Sequence, residues 1–312
     1  MDYPYNHLRA GVEIFGSCNG LVCVNTGDGV DIICMWNPST KEYKKLPTIK
    51  IKFPAADFYC CDKTSYGFGF DGKTKDYKLV RLVGFNFEHG CEVKVYTSGT
   101  NTWKSLNYIP YRLSYGRTPA VLVNGALHWI TTLLVPEDKS VSGSDEDPRI
   151  ILSFDISNES FQEIPKPDML NDKFHNNVDV LDGYLCLLSN NYKVHVDMWV
   201  MKDYGVRESW TKLFMISQQS FIRAFDYVKP IISFKNGKVL LDVDGGALVL
   251  YDPKYDESRI VEVCNVEWCE IFTYTRSLVG REQKLEAIKN IKKPEIRKTK
   301  KEEKLEKRIK KM

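Results

Sequence analysis

The sequence predicts an all-β, β-propeller-like domain: five recognisable four-stranded units, an imperfect closing blade, and a basic, partly helical C-terminal tail. Three observations carry this. Short runs that alternate apolar and polar residues are separated by Gly, Asn, Asp and Pro clusters, with no helical stripe before residue 281. Two hairpin signatures recur in a fixed order: an Asx-Gly turn between apolar runs, then a polar turn flanked by large side chains. The leading aromatics of the second signature, Trp36, Tyr96, Phe154, Trp199 and Tyr251, are spaced by 60, 58, 45 and 52 residues, a period that suits propeller blades better than helical repeats.

The first unit, about residues 14–47, opens with GSCNGLVCV, whose Asn19-Gly20 pair suits a type I′ turn because both central residues need positive φ. It closes with WNPSTKEY, in which Trp36 and Tyr43 stand seven apart. The second, 64–107, carries a longer turn at Asp71-Gly72 and then YTSGTNTW from Tyr96 to Trp103. The third, 118–166, has Asn124-Gly125 and FDISNESF from Phe154 to Phe161, and one of its connections is lengthened by the acidic stretch Val135 to Arg149. The fourth and fifth, 177–216 and 229–263, have Asp182-Gly183 and Asn236-Gly237, followed by looser aromatic copies from Trp199 to Trp210 and from Tyr251 to Ile260. A last alternating run, Trp268 to Val279, has no hairpin partner and is expected to meet N-terminal residues and close the ring. One four-stranded sheet cannot bury both faces, whereas radial stacking buries each face on its neighbour, so stability should rest on ring closure.

Composition agrees with such a domain. The 312 residues are 43% hydrophobic and 12% aromatic, enough for a large core. No run is long and apolar enough for a membrane helix, and MDYPYNHLR lacks the basic start and apolar stretch of a secretory signal, so the expected location is cytoplasmic, nuclear or both. Residues 281–312 carry 14 Lys/Arg against 6 Asp/Glu; the remaining 30 Lys/Arg and 35 Asp/Glu leave residues 1–280 at −5. The tail reads as a solvated, partly helical extension, with an import signal as the second reading, and its stripe of Leu305, Ile309 and Met312 is too thin for membrane insertion. Neither membrane nor nucleic acid is the expected partner.

The sequence assigns no catalytic, cofactor or metal residues. Nine cysteines without regular spacing, in a chain with no secretory signal, read as reduced, packed thiols. Cys18 and Cys23 flank a turn within conceivable zinc reach, but later units place apolar residues such as Leu122 and Val180 there. Cys60, Cys61, His89 and Cys91 form a second conceivable set, in which adjacent cysteines are awkward tetrahedral ligands. None of the five histidines, His7, His89, His128, His175 and His195, sits in a catalytic signature, and His128 is expected to bond locally or pack beside Trp129. Ser98 to Trp103 lacks the aspartate of the box found in propeller glycosidases.

What remains is a binding surface on the loops between blades, free to vary because the sheets fix the scaffold. The candidate target-binding residues are Phe58 and Tyr59 in KFPAADFYCC, Tyr111, Arg112, Tyr115 and Arg117 in YIPYRLSYGR, and Phe221, Arg223 and Tyr227 in QQSFIRAFDY. Tyr and Arg favour protein hot spots. The competing reading is that the aromatics tuck under the loops and cover blade edges.

The ordered series GSCNGLVCV, WNPSTKEYKKLP, YGFGFDGKTKDYKLVRL, EVKVYTSGTNTWKSL, VNGALHWI and ILSFDISNESFQEIP closely resembles the F-box-associated domain of plant F-box proteins. The segments DYP, GVEIFGSCNG and YTRSLV are similar to the interaction-domain type that includes S-locus and defence-regulating members. The resemblance covers roughly residues 2–280 and implies a substrate receptor of a cullin-type (SCF) ubiquitin ligase: an N-terminal F-box docks a Skp-type adaptor and the propeller holds a protein target. No F-box stands before Gly16, so adaptor and cullin are implied as partners only if an F-box is supplied upstream or by a partner chain. The alternatives are an adaptor-free binding module or competitor and, more remotely, a propeller enzyme.

Overall fold

A computed structural model describes residues 12–26, 32–49, 63–85, 90–113, 119–134, 149–168, 170, 174–191, 194–221, 225–261 and 271–274. Its five antiparallel sheets form a five-bladed propeller. Blade 1 is β1 (Glu13–Cys18), β2 (Leu21–Asn25), β3 (Ile33–Asn37) and β4 (Glu42–Lys45). Blade 2 is β5 (Lys63–Asp71), β6 (Asp76–Gly84), β7 (Cys91–Thr97) and β8 (Thr102–Ser105). Blade 3 has β9 (Tyr111–Leu113), β10 (Val121–Val123), β11 (Ala126–Leu133), β12 (Arg149–Asp155) and β13 (Ser160–Ile164). Blade 4 is β14 (His175–Leu181), β15 (Tyr184–Asn191), β16 (His195–Met201) and β17 (Trp210–Ser217); blade 5 is β18 (Val228–Ser233), β19 (Val239–Val243), β20 (Ala247–Asp252) and β21 (Glu257–Val261). The boundaries follow the units read from the sequence, with β9 added: it pairs with the far half of β11 where β10 stops, so two short strands share the innermost position of blade 3.

Turn chemistry explains the hairpins. Asn19-Gly20, Asn124-Gly125 and Asp182-Gly183 have φ of 47 and 79°, 50 and 75°, and 53 and 83°, the positive pairs that match strand twist. Asn236-Gly237 departs from the expectation, for only its glycine is left-handed (φ 83°). The Gly237 amide bonds the Phe234 carbonyl at 2.9 Å, a wider loop that ends on the glycine. The polar turns instead begin with an Asx carboxyl or amide that accepts backbone N–H groups two and three residues on, as Asn37 does from Ser39 and Thr40 and Asp155 does from Ser157 and Asn158. They end on a left-handed residue, Lys41 or Glu159.

The aromatic pairs seven apart are direct cross-strand neighbours: Trp36 opposite Tyr43, Tyr96 opposite Trp103, Phe154 opposite Phe161. The last two pairs have ring centroids 5.5 and 4.9 Å apart. The looser copies do not pair this way. A bulge between Met198 and Trp199 and a longer turn set Trp199 against Lys212 and Trp210 against Met201, while Tyr251 faces Ser258.

Side-chain alternation assigns each blade face to a neighbour. On β6, Tyr77 and Leu79 join Phe15, Met35 and Phe68 between blades 1 and 2, whereas Val80 and Leu82 join Leu127, Trp129 and Phe154 between blades 2 and 3. Two further cores fill the junctions between blades 3 and 4 and between blades 4 and 5. Each fully buried Leu contributes about 1.5–3 kcal/mol, so these four junctions hold the ring together. Gly67 allows a close approach of blades 2 and 3, because a Cβ there would lie 2.7 Å from Ala120 Cβ and 2.8 Å from Leu127 Cδ1.

A buried polar network reinforces the junction of blades 2 and 3. Lys78 Nζ reaches Glu159 Oε1 at 2.8 Å, the Ile156 carbonyl at 2.9 Å and Asp71 Oδ2 at 3.1 Å, and the Ser157 hydroxyl donates to Asp71 Oδ1 at 2.8 Å. Of the expected closing run, residues 271–274 are described and are not a strand; the others lie outside the described residues. They still meet blade 1: Ser17 Oγ donates to the Thr273 carbonyl at 2.8 Å, and the Tyr274 hydroxyl lies 3.3 Å from the Gly20 carbonyl and 3.0 Å from Ser39 Oγ. On the other side Phe272 lies beneath Lys229 of β18, whose Nζ is 3.9 Å from the ring centroid.

Candidate binding face and axial cavity

In each antiparallel blade the first-to-second and third-to-fourth strand turns fall at one end. The second-to-third connections and the segments that join blades fall at the other. In sequence the candidate residues all fall between the last strand of one blade and the inner strands of the next. Phe58, Tyr59, Tyr115, Arg117 and Arg223 lie outside the described residues. The remaining four are resolved, and they are not equivalent.

Tyr111 and Arg112 are strand residues of β9, not loop residues, because their backbones pair with Leu133 and Thr132. The Tyr111 hydroxyl donates to Glu163 at 2.8 Å, and burial together with that carboxylate pushes its pKa up to about 12. Arg112 is half-buried beside Lys63, whose pKa is lowered by burial and then by the guanidinium. Phe221 packs on the core between blades 4 and 5, with its ring 4.8 Å from Phe225 and 6.3 Å from Tyr251, so it covers a blade edge. Tyr227 immediately precedes β18 and lines a cavity on the propeller axis. The same face also presents exposed Tyr108, Leu133 and Val194, which the sequence did not single out.

The axial cavity, about 410 Å³, is lined by the inner strands of all five blades and by residues 271–273. That size lies within the usual range for small-ligand sites. Its wall is partly apolar, through Trp129, Phe68 and Phe272, and partly ionisable, through His175, Asp179 and Lys229. Burial pushes the Asp179 carboxyl up to about 6 against the pull of Lys229 and the Val180 amide. Asp242, opposite Lys229 in the β18–β19 ladder, is fully buried, and burial raises its pKa against the pull of Lys229 and the Gly245 amide. Sequence reading missed these residues, although HNNVDVL in β14 carries the signal, since His175, Asn177 and Asp179 alternate along one face of an otherwise core-like strand.

Comparison with known proteins bears on the fold and the family. The family model described as the F-box associated beta propeller domain matches residues 5–281. The chain belongs to that family. The F-box protein CPR1 of Arabidopsis thaliana is 32% identical over 301 residues, which cover 89% of this chain and 69% of that protein. The Arabidopsis F-box protein At4g22390 is 30% identical over 294 residues, covering 87% and 69% of the two chains. A third Arabidopsis relative, the F-box protein At3g07870, is 32% identical over 284 residues, covering 78% and 64%.

In this F-box associated propeller the described cysteines of the two conceivable metal sets are packed thiols. Cys18 and Cys23 belong to the core between blades 1 and 2; burial pushes Cys18 up to about 11 and Cys23 well above the ordinary thiol range. Cys91 is buried, is pushed up to about 12 by burial, and donates to the Tyr111 carbonyl at 3.0 Å. Cys60, Cys61 and His89 lie outside the described residues. His128 bonds locally, with Nδ1 3.2 Å from the Val121 carbonyl, and also spans to blade 4, with Nε2 2.8 Å from the Tyr204 hydroxyl. Among the described residues no helix is long and apolar enough to cross a membrane.

Proposed function

We propose that this propeller is the substrate-recognition module of an SCF-type ubiquitin ligase and binds a protein target noncovalently through the face formed by its blade-joining segments. The observation that carries the reading is the family match across residues 5–281, with relatives that are F-box proteins over most of the chain. The physical logic is that of a scaffold. Packed blades fix where the connections emerge, so side chains there can specialise for one target without cost to the core. The propeller itself performs no chemistry in this account; it contributes proximity and orientation to ubiquitin transfer carried out on other subunits. Its partners are the target and, through an F-box, a Skp-type adaptor and cullin, in the cytoplasm or nucleus.

The test is affinity purification of the expressed protein from plant cells with proteasome activity blocked. Recovery of a Skp-type adaptor and cullin together with a ubiquitinated target supports the receptor. Stable target capture without adaptor identifies an adaptor-free competitor instead, and turnover of a sugar substrate identifies an enzyme.

A further inference from the structure

The axial cavity has features that neither ring stability nor docking on the connections uses. Asp179 and Lys229 project into it from adjacent inner strands, β14 and β18. They sense each other electrostatically, yet no ion pair joins them. One Asp179 oxygen accepts the neighbouring Val180 amide at 2.7 Å; the other has no hydrogen-bond partner among the described residues. Lys229 places its Nζ on the face of Phe272. The wall thus presents an anionic group, Asp179, and a cationic group, Lys229, not joined to each other, beside an aromatic and aliphatic lining; the fully buried Asp242, opposite Lys229 in the β18–β19 ladder, is a second carboxyl that Lys229 senses but is not part of the cavity lining.

Charge accounting narrows the occupant. A ligand bearing one charge would satisfy one wall group and leave the other partly desolvated and unpaired, which costs more than the single contact returns. A zwitterion enters with no net charge and pairs with both. Trp129 already donates its indole N–H to Ser65 Oγ at 3.0 Å, so its ring offers the cavity an apolar surface. The lining reaches the blade-joining end of the axis, where Leu113, His175 and Tyr227 stand at or next to the ends of inner strands.

We propose that the axial cavity binds a free α-amino acid, with its ammonium on Asp179, its carboxylate on Lys229, and an apolar side chain against Trp129 and Phe272. Because the lining reaches the end of the axis where the blades are joined, occupancy also gives the proposed docking face a way to respond to an amino acid. The binding itself does not depend on the ligase reading.

The experiment is isothermal titration of the purified protein with L-leucine, L-phenylalanine and L-tryptophan, and with phenethylamine and 3-phenylpropionate as analogues that each retain one charge. At least one amino acid should bind, and the single-charge analogues should bind at least roughly tenfold more weakly than phenylalanine or not at all. Asp179→Asn and Lys229→Met should each weaken amino-acid binding roughly tenfold or more. The proposal is overturned if none of the three amino acids binds, if either analogue matches phenylalanine, or if both folded variants retain wild-type affinity. Should a variant fail to fold, the analogue series on the unaltered protein still decides. Adaptor or target capture can succeed or fail without changing this result.

Discussion

Lys78→Met gives the sharpest test of how the blades are locked together. Lys78 and Lys104 both contact Glu159 at 2.8 Å, but their side chains are 5% and 66% exposed. Distance is therefore held constant while burial changes. Removing Lys104 loses an exposed pair worth about 0–1 kcal/mol. Removing Lys78 leaves Asp71, 0% exposed, beside Glu159 with no buried cation between them, a loss of about 3–5 kcal/mol. For a domain of this size that is a drop in Tm of about 6–15 °C. Burial alone would raise the Asp71 pKa, but hydrogen bonds from Ser157, the Lys73 amide, Lys78 and Thr74 outweigh it and hold the carboxyl well below its usual range. For Lys78, burial works to lower the pKa and the two carboxylates override it, leaving it raised. A depressed acid stabilises the fold above its unfolded pKa and loses that contribution as pH falls through the folded value. A raised base stabilises below its unfolded pKa and loses the contribution as pH rises through the folded value. The gap between wild type and Lys78→Met in urea denaturation should thus be full at neutral pH and shrink in strong acid and in strong alkali. A Lys78→Met midpoint matching that of Lys104→Met would refute the reasoning.

Other perturbations probe separate parts of the ring. Tyr274→Ala should cost about 3 kcal/mol and Tyr274→Phe about 1 kcal/mol in urea melts, since the ring packs on the outer face of blade 1 and its hydroxyl bonds Gly20 and Ser39. His128, pushed down to about 4 chiefly by burial, loses stability to protonation of the unfolded chain as pH falls from about 6.5 toward the folded value. His128→Gln should flatten that part of the stability–pH curve. Gly67→Val should destabilise by about 1–3 kcal/mol through overpacking at the junction of blades 2 and 3, read as a lowered Tm. Cys23 and Cys34, buried with raised pKa values, should resist a thiol reagent in the native protein and react in urea.

The features most legible in the sequence were those set by local rules. Asn19-Gly20 and Asn124-Gly125 marked turns because few other residues accept paired positive φ, and Tyr96 with Trp103 marked a hairpin because a polar turn of fixed length sets them opposite. What escaped depended on contacts between blades. Nothing local in Lys78 shows that it joins a turn of its own blade to one in the next, nor that β9 continues where β10 ends. For the same reason YIPYRL looked like loop: its partner, β11, lies 22 and 20 residues downstream in the pairing of Tyr111 with Leu133 and Arg112 with Thr132. The bulge that shifts Trp199 away from Trp210 is likewise a property of the paired strands. The role of each described candidate side chain was not legible either, as Phe221 on the core and Tyr227 on the cavity show.

The central claim, that a target is held on the face where blades are joined, is tested most directly by comparing two triple variants in quantitative capture from plant cells. Arg112→Ala, Arg117→Ala and Arg223→Ala alter the joining segments; Lys73→Ala, Lys235→Ala and Lys254→Ala alter turns on the opposite face. With Tm unchanged in both, the first set should lose the captured target and the second should retain it. Retention by the first set with loss by the second would place recognition on the wrong face and contradict the account.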